Sequence, residues 1–274
     1  MEGRMLKVKT IAFIGAGNMG SALIRGLIAK GEIHREQIVA TDVDHEKLAK
    51  LEAEEGIQIS NDKKRAVSQA EMVILSVKPQ NINEVLREIA PATDIAKLVV
   101  SIAAGVATSR IEKGLPSGVR VIRVMPNTPA LVGEGIAVLC AGSHATEEDM
   151  AEARFVFDAV GKSCVLSEDL MDAVTGLSGS GPAYVFLFIE ALSDAGVLVG
   201  LPRDVALMLS VQTVLGAARL ISEKKMHPAQ LREMVTSPGG TTIAGLKKLE
   251  EMGLRASILN AVEAATARSR ELGR

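Results

Sequence analysis

The stretch Ile11 to Gly20, I-A-F-I-G-A-G-N-M-G, constrains this chain more than any other. A short run of uncharged, β-prone residues meets three glycines spaced Gly15-x-Gly17-x-x-Gly20, and a helical pattern follows. A strand that turns sharply into a helix needs glycines at these places. Gly15 permits the tight turn, Gly17 lets the backbone approach a pyrophosphate, and Gly20 lets the helix pack against the strand. The free amides at the start of the helix, around Asn18 and Met19, then face the phosphates. Asp42 closes the next strand run, where a carboxylate accepts hydrogen bonds from an adenosine ribose. A solvated loop acid is the alternative reading of Asp42. The expected cofactor is NAD(P)H. NADH is favoured over NADPH, because Asp42 repels a 2′-phosphate and no Arg follows in Val43-Asp44-His45-Glu46.

Alternation extends this unit through the first half. Strand runs are expected at Thr10 to Ile14, Gln37 to Thr41, Met72 to Val77, Leu98 to Ile102, Val119 to Val124, Ile136 to Cys140 and Lys162 to Leu166. Helices are expected at Met19 to Lys30, His45 to Glu55 and Glu147 to Val160. The strand runs are nearly continuous in apolar residues, as parallel strands covered on both faces are. The expected class is α/β, a doubly wound parallel sheet. After Ser167 the strand pattern stops. Pro182 to Val199, Arg203 to Lys224, Pro228 to Thr236 and Gly240 to Leu272 read as helices, the last broken near Gly253. We place the division there, with residues 1–167 as a dinucleotide-binding domain and 168–274 as an all-α domain.

Composition narrows the function classes. The net charge of −2 leaves no electrostatic footprint for nucleic acid or an anionic membrane. No metal-binding spacing joins the scattered histidines to Cys140 or Cys164, and both thiols sit in apolar strand runs that read as core. The uncharged stretch Ala173 to Ile189 falls short of the ~20 residues of a membrane helix, and no secretory signal opens the chain. A cytoplasmic protein acting on a small molecule is the expectation. Helices Pro182 to Val199 and Arg203 to Lys224 carry so few charges that a second subunit must cover them, so a homodimer through the C-terminal helices is expected.

Four further stretches stand out: Arg123-Val-Met-Pro-Asn127-Thr-Pro, Thr175-Gly-Leu-Ser178-Gly-Ser180-Gly-Pro-Ala-Tyr184, Gly200-Leu-Pro-Arg203 and Ser237-Pro-Gly-Gly-Thr241-Thr242. The last is a turn feeding a helix N-terminus, where amides and hydroxyls converge on an anion such as a carboxylate. An ordinary capped helix start explains one Ser and one Gly there, but not the crowded run.

With the glycine fingerprint, these stretches resemble the pyrroline-5-carboxylate reductase family over nearly the whole chain. The resemblance implies a Rossmann domain followed by a helical dimerisation domain, with dimers assembled into larger rings. It implies reduction of 1-pyrroline-5-carboxylate to L-proline, the last step of proline biosynthesis. By position, Ser237, Gly240 and Thr241 would hold the substrate carboxylate, and Thr242 would contact the ring nitrogen as the catalytic position. Val77, Lys78, Pro79 and Asn127 would lie along the cofactor. Asn61 is the candidate for the ribose-contacting Asn of relatives, although its spacing to Lys78 is shifted. From the residues alone, Lys78 reads equally as a solvated surface lysine.

The chemistry agrees with the composition of the motifs, which are rich in Ser and Thr and poor in His, Cys and Tyr. A protonated imine already carries its proton, so hydride transfer needs positioning rather than a strong acid. Two other functions share parts of this pattern. A 3-hydroxyacid dehydrogenase matches Gly176, Gly179 and Gly181, but Val185 and Ile189 stand where that family needs Lys and Asn to deprotonate an alcohol. A nicotinamide-binding regulator without turnover is the other, and an activity assay separates it.

Overall fold

The strand runs of the first half pair into one sheet of eight strands. The computed structural model describes residues 8–31 and 33–273. The strands are β1 (Ile11–Ile14), β2 (Ile38–Thr41), β3 (Gln58–Ile59), β4 (Met72–Leu75), β5 (Leu98–Ser101), β6 (Arg120–Met125), β7 (Gly135–Ala141) and β8 (Gly161–Val165), in the order β3-β2-β1-β4-β5-β6-β7-β8. The chain leaves β1 towards one edge and crosses back to β4 on β1's other side. The reversal opens a crevice beyond the carboxyl ends of β1 and β4, where such sheets bind ligands.

Each strand divides its side chains between two cores. Ile11 and Phe13 of β1 point to the face covered by α1 (Asn18–Ala29), α2 (His45–Glu55) and α6 (Glu147–Asp158). Ala12 and Ile14 point to the face covered by α3 (Lys63–Gln69), α4 (Ile82–Ile89) and α5 (Thr108–Lys113). Burial on both faces explains why the strands lack the polar alternation of a one-sided sheet. All neighbouring pairs are parallel except β6 with β7. No crossover helix separates those two, only a turn of 3₁₀ helix at Thr128–Val132, and a short connection returns the chain antiparallel. The expected strands and helices are present. β3 and the helices α3 to α5 are additions that the sequence reading did not name.

Strand pairing ends with β8, but packing with the sheet continues further. Met171 and Val174, of the helical turn α7 (Met171–Val174), join Val138 and Cys140 of β7 in a small core. A five-residue π-helix follows at Thr175–Gly179. Compact packing divides the chain so that Ser180–Glu263 forms one unit and the remainder the other. The last residues belong with the sheet, where Ser269 Oγ donates to Asp172 Oδ1 at 2.6 Å.

The second unit contains α8 (Gly181–Leu198), α9 (Arg203–Lys224), α10 (Pro228–Met234), α11 (Thr241–Glu251) and the first part of α12 (Leu254–Leu272). Gly196 lets α8 and α9 approach closely, since a Cβ there would lie 2.9 Å from that of Ala206. Their other faces are bare in a single chain. Phe186 is 63% exposed, Leu187 66% and Met208 61%. By length and composition, Glu168–Leu198 and α9 are each sufficient to cross a membrane. Length and composition alone do not say what covers these faces.

The two cysteines also part company. Cys140 is buried, and burial pushes its thiol up to about 12, so it stays neutral and inert. Cys164, expected in the core, is exposed on β8. β8 is the edge strand of the sheet, which leaves its side chains without a neighbouring strand on one flank.

A partly buried ion pair fastens the chain beyond β8 to the sheet. Arg123 of β6 is only 5% exposed and donates to Glu168 at 3.1 Å. The same carboxylate accepts from the Thr108 amide at 2.8 Å and the Thr108 hydroxyl at 2.7 Å. Burial acts to raise the Glu168 pKa, but the Thr108 and Arg123 bonds outweigh it and hold the group below its ordinary 4.5. A carboxyl whose folded pKa is depressed stabilises the fold above its unfolded pKa and loses that contribution as pH falls through the folded value. Glu168→Gln should therefore lower Tm at pH 7, by about 2–4 °C per kcal/mol lost. The gap to the unmodified protein should narrow as pH falls below 4.5 and through the lowered folded value. Thermal unfolding of both proteins across pH 3–8 measures this, and a constant gap would show that the charge of Glu168 is not what matters.

Candidate active site

At the crevice, the fingerprint residues take their places for three different physical reasons. Gly15 follows β1 at φ +101°, in the left-handed region, and a Cβ there would lie 2.6 Å from the Ser76 carbonyl oxygen beyond β4. Gly20 sits in the first turn of α1, where a Cβ would lie 2.6 Å from the Gly15 carbonyl oxygen. The fold itself demands both glycines. Gly17 differs. Its φ of −62° suits any residue, and a Cβ would meet no protein atom within 4 Å. Nothing in the chain requires a glycine there, whereas close approach of a ligand does.

Gly17 is also the N-cap of α1. It supplies no side-chain hydrogen bond, and no acid stands in the first turn. The amides of Asn18, Met19 and Gly20 thus open the helix without an internal partner, in the arrangement that binds phosphate. Asp42, one residue past β2, accepts from the Ala16 amide at 2.6 Å and from the Asp44 amide at 3.0 Å. The carboxylate braces the glycine turn as well as facing the groove. The Ser76 hydroxyl donates to the Gly15 carbonyl, fastening the turn to β4 from the other side.

Gly15, Gly17, Asp42, Val77 and Lys78 line one groove of about 480 Å³. Residues that the sequence reading did not single out complete it, including Thr41, Ser76, Asn81 and Lys63. Their signal was position alone, since each ends or follows a strand or opens a helix at the same sheet edge. Lys63 is paired with Glu88 at 2.8 Å, and Lys47 is the other lysine on this wall beside Lys78. The residues fit a dinucleotide: an open helix N-terminus for a pyrophosphate, a fixed carboxylate for a ribose, and a glycine whose missing side chain serves no packing need.

Other expected positions lie apart from the groove lining. Asn61 is exposed on the connection between β3 and α3. Pro79 begins a 3₁₀ turn directly after Lys78. Asn127 follows β6 with both ends of its amide engaged: Oδ1 accepts from the Ile136 amide at 2.9 Å, and Nδ2 donates to the Ser178 carbonyl at 3.2 Å. Asn127 thus ties the start of β7 to the π-helical turn.

In the helical unit, Ser237 to Thr242 forms the expected turn into a helix. The Gly240 amide donates to the Ser237 carbonyl at 3.1 Å around Gly239 at φ +67°, the pattern of a type II turn with Pro238 at its second position. Gly240 is the N-cap of α11 and gives it no side-chain cap; its first turn holds no acid. A Cβ on Gly240 would collide with Ser237 Oγ. Thr241 is exposed and Thr242 half-buried. Amides and hydroxyls, with no carboxylate among them, make a receptor for a small anion.

A glycine-turn dinucleotide site at the crevice of a doubly wound sheet, joined in one chain to a helical unit, is the plan of a nicotinamide-dependent oxidoreductase. Comparison with known proteins supports both parts. Residues 168–272 match the model described as pyrroline-5-carboxylate reductase dimerisation, and residues 10–105 match NADP oxidoreductase coenzyme F420-dependent. The chain is 50% identical to the pyrroline-5-carboxylate reductase of Methanosarcina acetivorans, over 96% of this chain and 98% of that one. It superimposes on the Coxiella burnetii pyrroline-5-carboxylate reductase with TM-score 0.92 and 39% identity, covering 97% and 99% of the two chains. A Plasmodium falciparum pyrroline carboxylate reductase with NADP bound gives 0.88 at 32% identity, covering 99% and 100%. The chain belongs to the pyrroline-5-carboxylate reductase family. The bare faces of α8 and α9 lie within the dimerisation domain, whose role explains their cover.

The contrast among the glycines can be tested. Gly17→Ala should leave Tm nearly unchanged and raise the KM for the nicotinamide cofactor roughly 5- to 150-fold, since a forced close contact costs about 1–3 kcal/mol. Gly15→Ala should instead destabilise the fold. If Gly17→Ala lowered Tm as much as Gly15→Ala while leaving the cofactor KM unchanged, Gly17 would be a packing residue.

Proposed function

We infer that this chain reduces 1-pyrroline-5-carboxylate to L-proline, the closing step of proline biosynthesis, with NAD(P)H as reductant. The observation that carries the reading is the full-length relationship to the family, with the glycine turn and the Ser237–Thr242 turn both present. A reduced nicotinamide held in the glycine-turn groove would supply a hydride to the imine carbon. The C=N double bond becomes a single bond, and the proton already on the imine nitrogen remains as the amine proton. The protein therefore has to bind and orient rather than titrate, which suits a site built from amides and hydroxyls.

Residues 1–167 would bind the dinucleotide, and residues 168–274 the substrate and the second subunit. Gly15, Gly17, Asn18, Met19 and Gly20 would cradle the pyrophosphate, with Asp42 and Asn61 towards the adenosine ribose. Val77, Lys78, Pro79 and Asn127 would flank the rest of the cofactor. Dimers assembled into a ring, in the cytoplasm, complete the proposal. The first experiment is loss of nicotinamide absorbance on adding pyrroline-5-carboxylate; a chain that binds the cofactor without turnover would be a regulator instead.

We propose NADH over NADPH. Asp42 is held in the groove as an acceptor, and no arginine lines it. Asp42→Ser should narrow the gap in kcat/KM between the two cofactors. A native enzyme that prefers NADPH would overturn this and point to Lys47 as the partner of a 2′-phosphate.

Ser237, Gly240 and Thr241 would hold the substrate carboxylate, and Thr242 the imine nitrogen. Removing one such partner costs about 1–3 kcal/mol, or roughly 5- to 150-fold in kcat/KM. Ser237→Ala should mainly raise the substrate KM, because the carboxylate is held equally in ground and transition states. Thr242→Ala should lower kcat as well, by loosening the approach of the imine carbon to the hydride. Full activity in Thr242→Ala together with weakened cofactor binding would assign this turn to the cofactor.

A further inference from the structure

On the face of the sheet covered by α3 to α5, a second groove runs between α4 and α5, with a volume of about 410 Å³. Its polar wall is cationic: Arg87 comes from the last turn of α4, and Arg110 and Lys113 from α5. No carboxylate lines it. Among the described residues none of the three cations forms an ion pair, although the chain as a whole carries a net charge of −2. Basic side chains in the last turns of helices are ordinary partners for the helix dipole. What is not ordinary is how these two guanidiniums are held. Arg110 donates from Nε to the Asn83 side-chain oxygen at 3.0 Å, and Arg87 donates from Nε to the Asn83 carbonyl at 3.2 Å. One residue thus orients both forks by their inner nitrogens and leaves the outer Nη atoms available.

We propose that this groove binds the phosphate group of a small phosphorylated molecule. Paired guanidinium forks match the oxygens of a phosphate bidentately, and Lys113 adds a third positive charge. Ser109, also on the wall, offers a hydroxyl. The floor is apolar: Leu86 of α4 touches the chain at Gly114, where a Cβ would lie 2.9 Å from Leu86 Cδ1. The volume exceeds what a bare phosphate fills, which leaves room for an organic body against that floor. The groove shares α4 with the dinucleotide groove, whose lining includes Asn81, Glu84, Val85 and Glu88. The site does not depend on the reductase reading.

The test is calorimetric titration of the full-length protein with inorganic phosphate, glycerol 3-phosphate and succinate. Saturating NAD⁺ and L-proline are present throughout, so that the phosphate-binding turn at Gly17 and the anion-receiving turn Ser237–Thr242 are both filled. Saturable binding of a phosphate-bearing probe at one site per chain is expected. It should weaken by at least about tenfold for each charge-assisted contact removed in Arg87→Gln/Arg110→Gln. Tighter binding of glycerol 3-phosphate than of phosphate would identify a monoester as the occupant, and equal binding the free ion; either supports the site. Both arginines are exposed, so the variant should fold, and an unchanged circular dichroism melt confirms it. Lys113→Gln serves as an independent second variant, with the same direction of effect. No saturable binding, binding untouched by these substitutions, or equal binding of succinate would overturn the proposal.

Discussion

The contact of Gly15 with Ser76 is the constraint on which the dinucleotide half depends. It joins the carboxyl ends of β1 and β4, the two strands between which the chain reverses direction across the sheet. A Cβ at Gly15 would strike the Ser76 carbonyl at 2.6 Å, and the Ser76 hydroxyl returns a hydrogen bond to Gly15. Asp42 secures the far side through the Ala16 amide. The first amides of α1 are aimed by this bracing from both flanks. A displaced turn would move every phosphate-facing donor together, because those donors are backbone groups on one rigid helix end.

The same device recurs in the helical unit. α1 and α11 each begin on a glycine N-cap without a side-chain hydrogen bond, and neither has an acid in its first turn. Helix ends are ordinarily capped by Ser, Thr, Asp or Asn, as α2 and α3 are here by Asp44 and Asp62. An uncapped start forgoes a small stabilisation and leaves donors free for an external anion. Because α5 and α8 also start without a side-chain cap or a first-turn acid, the open start alone does not mark a receptor; at α1 and α11 it coincides with a glycine turn. Backbone donors left free there are also why a reductase can be assembled with so few titratable groups in its motifs.

The apolar helices impose a different constraint. α8 and α9 bury little within one chain: Ser193 in the first, and Ala206 and Ser210 in the second. Their outer faces have to leave water, since each large apolar side chain exposed forgoes about 1.5–3 kcal/mol. A lipid bilayer and a second subunit both answer that need, and amphipathicity cannot choose between them. The match of residues 168–272 to a dimerisation domain chooses the subunit.

Much of this protein was legible from local pattern. The strand–glycine–helix unit, the limits of α2 and α9, the end of strand pairing near Val165 and the Ser237–Thr242 turn all follow from short-range chemistry, where periodicity, glycine spacing and caps act over a few residues. α4 carries the helical spacing Ile82, Val85, Leu86 and Ile89 but is not among the helices expected from the sequence; α3 and α5 are too short for periodicity to show. What only the tertiary structure decided are relations between distant segments. The antiparallel β7, the exposure of Cys164 at the sheet edge and the packing of residues 168–179 with the sheet depend on which strands become neighbours. So does the second reason for a glycine at position 15: the spacing already implies its tight turn, but the Ser76 carbonyl, 2.6 Å from where a Cβ would lie, is met only once β4 has come to lie beside β1.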